Sequence, residues 1–224
     1  MFNPLKMDNE LLVPRPMTCP HHIMLFDATR RSYRELPIRY SEQSRLYRYE
    51  KSGALTGLER VRAMDLTEGH IFARQDQIKS EFKHLYKMIL QALKDFNIEI
   101  DHVSLSLRDP NDTEKFFKND DMWNNAENDL REVLKELKIK YKEFIGEAAF
   151  YGPKIDFQVR TSLNKIITMS TLQLDFLLPS RFELKYVDEN GEQQMPVLIH
   201  RGLIGTYERF IATLLEQTKG NLPY

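Results

Sequence analysis

Apolar positions recur along the chain with two different periods. Over residues 75–96, Ile78, Phe82, Leu85, Ile89, Leu93 and Phe96 return at three- and four-residue steps, the spacing of one helix face. A second helix is predicted over 121–137, with Leu130, Leu134 and Leu137 along one side, and an apolar helix over 205–217. Residues 22–30 carry Ile23, Leu25 and Phe26 and suit a short helix. Elsewhere the period falls to two. Within 98–107, Val103, Leu105 and Leu107 alternate with Ser104 and Ser106; within 44–50, Leu46, Arg48 and Glu50 share one face while Arg45, Tyr47 and Tyr49 take the other. Residues 37–40, 61–73, 154–159, 166–177 and 182–187 also read as extended, and the turn at 189–192 predicts a hairpin into 197–200. The proline-rich first twenty residues suit loop with one short strand over 11–13, and 51–60 reads as a loop around Gly53 and Gly57. Strands follow one another with few helices between them, which predicts an α+β domain on an antiparallel sheet.

Charge narrows the function classes. The 224 residues carry 32 Lys and Arg against 33 Asp and Glu, a formal net charge of -1. That balance excludes a protein held to nucleic acid by bulk positive charge, though not one with a local basic cleft. The single cysteine, Cys19, excludes an internal disulfide and suits a reducing, cytoplasmic location. No apolar run approaches the ~18 residues of a membrane span. The N-terminal segment lacks the basic-then-apolar layout of a signal peptide.

Two groups of residues carry candidate chemistry. Cys19, His70 and His200 include both soft and nitrogen ligands, but they lie far apart, and spacing alone shows no zinc site. A lone cysteine is more commonly a small buried apolar residue. Three Cys/His ligands beside an open position would match catalytic rather than structural zinc. The second group is cationic: Arg48, Arg60, Arg62 and Arg209. Converging guanidinium forks suit phosphoryl oxygens, while the bland alternative is a set of solvated strand-face charges. Neither GxxxxGK[ST] nor GxGxxG occurs, so a nucleotide site would be of neither type.

Longer segments add a resemblance. PMTCPHH (16–22), RSYRELPIRYSE (31–42), YRYEKSGALTGLERVR (47–62), GHIF (69–72), FYGPKID (150–156), TLQLDFLLPSRF (171–182) and PVLIHRGLIGTYERF (196–210) resemble, in order, the catalytic core of the threonyl-tRNA synthetase family of class II aminoacyl-tRNA synthetases. The resemblance covers nearly the whole chain and implies one catalytic core over 1–224, built as an antiparallel β-sheet flanked by helices. The implied activity is ATP-dependent activation of threonine and its transfer to the 3′ end of tRNA(Thr). Residues 47–50 resemble the strand of motif 2. Arg48 would grip the ATP α-phosphate and the substrate carboxylate, Glu50 would meet adenine, and Arg60 would contact the γ-phosphate. GTYERF resembles motif 3, which gives Arg209 a γ-phosphate and adenine role and places Thr206 near ATP. Arg48, Lys154 and Arg209 are the implied catalytic residues. Met64 and Gln173 join the ATP site, and Met17, Leu66, Glu68, Tyr151 and Lys154 the amino-acid site. Cys19, His70 and His200 match zinc ligands, with Mg²⁺ accompanying ATP. His21 and His22 are read as structural or supporting, His84 as a solvated surface residue and Trp123 as a partial core anchor.

The chain departs from the family pattern in two places. Met64, Leu66 and Glu68 replace Phe, Gln and Asp, and Thr168, within ITMST, replaces Gln. Motif 1 is expected upstream of residue 1 and an anticodon-binding domain after residue 224. The family resemblance also implies a homodimer for the full-length protein, without a membrane segment, and weak or no activity for the isolated core. The alternative is a non-catalytic synthetase-like module that binds tRNA, threonine or a protein partner.

Overall fold

In the computed structural model, which describes residues 1–222, strand alternation sorts the core from the site. The strands are β1 Leu5–Met7, β2 Glu10–Leu12, β3 Ile38–Tyr47, β4 Ala63–Ala73, β5 Ile100–Leu107, β6 Tyr141–Ile145, β7 Lys154–Arg160, β8 Ile166–Asp175, β9 Tyr186–Val187, β10 Gln193–Gln194 and β11 Val197–Thr206. The helices are α1 Cys19–Asp27, α2 Ile78–Asp95, α3 Asp120–Glu136, α4 Leu177–Arg181 and α5 Tyr207–Thr218. Pro223 and Tyr224, the last two residues of the expected 1–224 domain, lie outside the described residues.

Seven strands form the main sheet in the order β3-β4-β11-β8-β7-β5-β6. All its pairs are antiparallel except β5 with β6, which run parallel. Parallel neighbours need a crossover, and α3 supplies it between β5 and β6. One face of the sheet meets α2 and α3. The predicted stripe Ile78, Phe82, Leu85, Ile89 and Leu93 is almost wholly buried there with Leu130, Leu105, Phe157 and Leu172. Fully burying side chains of this size contributes about 1.5–3 kcal/mol each. Phe96 leaves the stripe. The helix ends at Asp95, Asn97 turns at φ 54°, and Phe96 is 47% exposed.

The other face carries α1. Ile23 and Phe26 pack on Phe72, Leu198, Leu184 and Leu36. Because side chains alternate, Ile71 and Ile199 face α2 while their neighbours His70 and His200 face the α1 side.

Several local expectations change. The first residues form a two-stranded hairpin, β1 with β2, rather than one strand at 11–13. The runs 37–40 and 44–50 are one strand, β3, which stops at Tyr47. The run 166–177 ends earlier, at Asp175, because its carboxylate accepts the backbone N–H groups of Leu177 and Leu178 and starts α4. The strand expected at 182–187 shortens to β9, because a turn with Glu183 at φ 52° follows that helix. Trp123 is 1% exposed, packs on Phe116 and Phe117 and donates Nε1–H to the Phe117 carbonyl. It is a full core residue.

Candidate active site and metal centre

Register places the candidate residues in rows across the α1 face. Tyr40 pairs with His70, His70 with His200, His200 with Gln173 and Gln173 with Lys154. Directly opposed residues project to the same side. The next row runs from Glu42 through Glu68, Gly202 and Thr171 to Asp156.

The helix α1 completes the metal group. Its first residue, Cys19, brings sulfur to 3.4 Å from Nδ1 of His200. One ligand atom each from Cys19, His70 and His200 lies within 4.8 Å of the others. Spacing alone did not show this cluster; the resemblance named its members, and strand register brings them together. Two observations fit the cluster to a metal. His200 gives Nε2 to Asp175 at 2.8 Å, so its Nδ1 faces Cys19. Nε2 of His70 is buried and meets no hydrogen-bond partner, although such atoms are seldom left unpaired. Sulfur with two imidazole nitrogens is a donor set of the zinc type. Burial, reinforced by the neighbouring His200 and His22, pushes His70 down to about 2, so its imidazole stays neutral and able to ligate a metal. Burial alone would lower His200 as well. Its bonds to the Asp175 carboxylate and the Cys19 sulfur outweigh that and raise it to about 10, so a metal taken up here would displace the Nδ1 proton of His200.

Beside this cluster lies a cavity of about 360 Å³, lined by Met17, Leu66, Glu68, Tyr151, Gln173 and His200 among others. Tyr151 donates its hydroxyl to Gln173, and burial raises its phenol above the usual range. Gln173 donates to Thr171, which donates to Asp156 at 2.6 Å. Lys154 is held by Asp156 at 2.5 Å, next to Gln173 in register. Glu68 is buried and accepts the Ser44 hydroxyl at 3.2 Å.

A second cavity, about 450 Å³, holds Arg48, Glu50, Arg60, Lys165, Thr206 and Arg209 in its wall. Arg48, Met64, Thr168, Thr206 and Arg209 line both cavities, so the two are contiguous. Arg48 stands just past β3, where its N–H still bonds the Arg62 carbonyl at 2.8 Å and its Nε–H bonds the Pro16 carbonyl at 3.1 Å. Glu50 accepts from Arg60 at 3.2 Å. Arg209 sits at the start of α5, whose Thr206 cap accepts the Arg209 N–H. Its guanidinium donates to the carbonyls of Glu59 and Thr168, each at 3.0 Å. Burial, with repulsion from Arg60, lowers its pKa. Backbone carbonyls hold the guanidinium, so a cation is fixed in place while its charge stays available.

The sequence reading missed three participants: Asp175, Asp156 and Lys165. Asp175 and Asp156 fall inside quoted segments, but neither spacing nor alternation distinguishes them. Lys165 belongs to a turn without a motif. His22, read as supporting, is buried against His70; His21 and His84 are exposed, as the polar setting of His84 suggested.

Residues 5–218 match the family described as tRNA synthetase class II core domain (G, H, P, S and T). The chain is 67% identical over 224 residues to a threonine–tRNA ligase of Mycoplasmopsis pulmonis and 58% identical over 223 residues to one of Ureaplasma parvum. All of this chain is matched in both cases, yet it spans only 38% of each relative's length. Among solved structures it is similar to one titled as the RNA binding domain of threonyl-tRNA synthetase from Cryptosporidium parvum. The TM-score is 0.90 at 35% identity, covering 99% of this chain and 55% of that one. No helix among the described residues is long and apolar enough to cross a membrane.

Proposed function

This chain belongs to the tRNA synthetase class II core-domain family, and from that premise we propose that it is the catalytic core, over 1–224, of a threonine–tRNA ligase. The observation that carries the reading is the contiguity of two cavities, one walled by arginines and one bordered by the Cys19, His70 and His200 group. A phosphate-binding cleft and a site for a small polar amino acid then share a boundary at Arg48.

ATP lies in the arginine cavity. The amino-acid carboxylate attacks the α-phosphorus in line, the bond to the bridging oxygen breaks, and pyrophosphate leaves with its electron pair. Little covalent work falls to the protein in such a transfer; position and charge decide the rate. Arg48, at the boundary, stabilises the charge on the α-phosphoryl oxygens and orients the carboxylate. Arg60 and Arg209 hold the leaving pyrophosphate, whose charge Mg²⁺ bound with ATP would share. Glu50 meets the adenine, with Met64, Thr206 and Gln173 completing the ATP side. Met17, Leu66, Glu68, Tyr151 and Lys154 shape the amino-acid side. Cys19, His70 and His200 would hold Zn²⁺, which when bound supplies coordination positions for the threonine amine and hydroxyl. A hydroxyl of the terminal ribose of tRNA(Thr) then attacks the threonyl carbonyl, the acyl–phosphate bond breaks, and AMP leaves. A cytoplasmic, homodimeric full-length protein belongs to the same proposal.

Threonine-dependent exchange of pyrophosphate into ATP by the intact protein tests the reading. Exchange that requires threonine supports it. Folded, zinc-loaded protein without exchange would favour the binding-module alternative.

A further inference from the structure

We infer that His22 and Glu42 form a hydrogen-bonded relay that fixes the tautomer of His70 and so presents its Nε2 to the metal. The inference rests on the metal reading above and assigns work to two residues outside the ligand set.

Geometry sets the direction of the relay. Helix α1 carries Cys19 and His22 three residues apart, so one helix face delivers both a ligand and a support. Nδ1 of His22 lies 2.8 Å from Nδ1 of His70. Two nitrogens this close need one proton between them. Suppose His22 donated it. Its Nε2 would then turn a lone pair toward the Glu42 carboxylate, 3.4 Å away. His70 would also carry its proton on Nε2, the buried atom that finds no acceptor. Both penalties vanish in the opposite arrangement. Nε2–H of His22 points at Glu42, His22 Nδ1 accepts from Nδ1–H of His70, and the buried Nε2 of His70 keeps its lone pair free for a metal. The other oxygen of Glu42 accepts from Arg15 at 3.1 Å, which holds the carboxylate in place. Across the cluster Asp175 orients His200 in the same manner. Each imidazole ligand is thus steered from behind by an acidic residue, directly for His200 and through His22 for His70. Supports of this kind typically change metal affinity by about 10–100-fold.

Substitution separates this role from simple packing. His22→Leu keeps apolar bulk but removes the acceptor, and zinc affinity of the intact protein, measured by chelator competition, is expected to fall by about 10–100-fold. His22→Asn returns an acceptor near the Nδ1 position and should recover most of the loss, which a packing role would not allow. Glu42→Leu should weaken zinc to a smaller extent. The second measurement needs no variant: ¹⁵N–¹H correlation spectra of histidine-labelled, zinc-stripped protein should show His70 protonated on Nδ1. A proton on Nε2 of His70, or wild-type zinc affinity in His22→Leu, would overturn the relay. Wild-type protein that takes up no zinc would overturn the metal reading and the relay together, whereas zinc uptake indifferent to His22 overturns the relay alone.

Discussion

His70 on β4 and His200 on β11 stand directly opposite each other in register, their rings 4.9 Å apart and inclined at 80°. Opposed residues share a face of the sheet, so one pairing between two strands brings together candidate ligands 130 positions apart in the chain. A slip of one residue would replace the pair by Ile71 or Ile199 and destroy the centre. The metal group therefore depends on the hydrophobic alternation that anchors Ile71 and Ile199 against α2.

Metal removal should leave the fold standing. The main apolar cluster, with α2 and α3, lies on the opposite face of the sheet from Cys19, His70 and His200. Chelation is expected to leave the circular dichroism spectrum unchanged and to preserve ATP binding, while threonine binding is lost. Calorimetric titration of each ligand before and after zinc stripping checks this. Threonine bound equally well without zinc would remove the metal from amino-acid recognition.

Arg209 is positioned by the Glu59 and Thr168 carbonyls rather than by an anion. Arg209→Ala should slow adenylate formation by about 10²–10³-fold, the range for one preorganised transition-state donor. Arg48→Ala should be at least as damaging, since that residue lines both cavities. Thermal midpoints should move little for Arg48, whose side chain is exposed. Stopped-flow measurement of adenylate formation provides the check.

Gly205 adopts φ +67° just before the Thr206 cap, and a Cβ there would approach the Met169 carbonyl oxygen to 2.8 Å. The conformation alone costs an L-residue about 1–2 kcal/mol, before the clash is counted. Gly205→Ala is expected to destabilise the protein by more than that and to raise the KM for ATP, because Thr206 and Arg209 move with the turn. Urea unfolding and ATP-dependent kinetics read the two effects.

Tyr86 is 4% exposed against Phe157, and burial raises its phenol to about 12. The folded state holds this proton more tightly than the unfolded chain, whose tyrosine titrates near 10. Its contribution is complete below about pH 10 and is lost as pH rises through 12. Tyr86→Phe should match the wild type near neutrality and exceed it by about 2 kcal/mol at pH 12. Denaturant titrations at both pH values test the crossover.

Much of the architecture was legible because burial leaves a period in the sequence. The α2 stripe from Ile78 to Leu93 announced a helix and the face it buries. Strand β6 was missed because Tyr141–Ile145 is a mostly exposed edge, so neither face carries an apolar signal. Helix α4 was hidden for another reason: Leu177 and Leu178 extend the apolar run of β8, and only the Asp175 side chain, capping the turn, decides where the strand stops. In the site, the motifs located the arginines and the three ligand candidates. Their convergence depended on register, and the protons shared by Glu42, His22 and His70 depended on distances that no linear pattern carries.

Amino-acid-dependent ATP–pyrophosphate exchange by the intact, zinc-loaded protein, compared for threonine, serine and valine, tests the central claim most directly. A site that reads a hydroxyl rejects its isostere lacking one by roughly 10⁴-fold, whereas one missing methyl changes the rate by only about 10–200-fold. The expected order is threonine first, measurable serine and almost no valine, with all exchange abolished by Cys19→Ala. Exchange supported by valine as well as by serine, or exchange that survives Cys19→Ala, would contradict it.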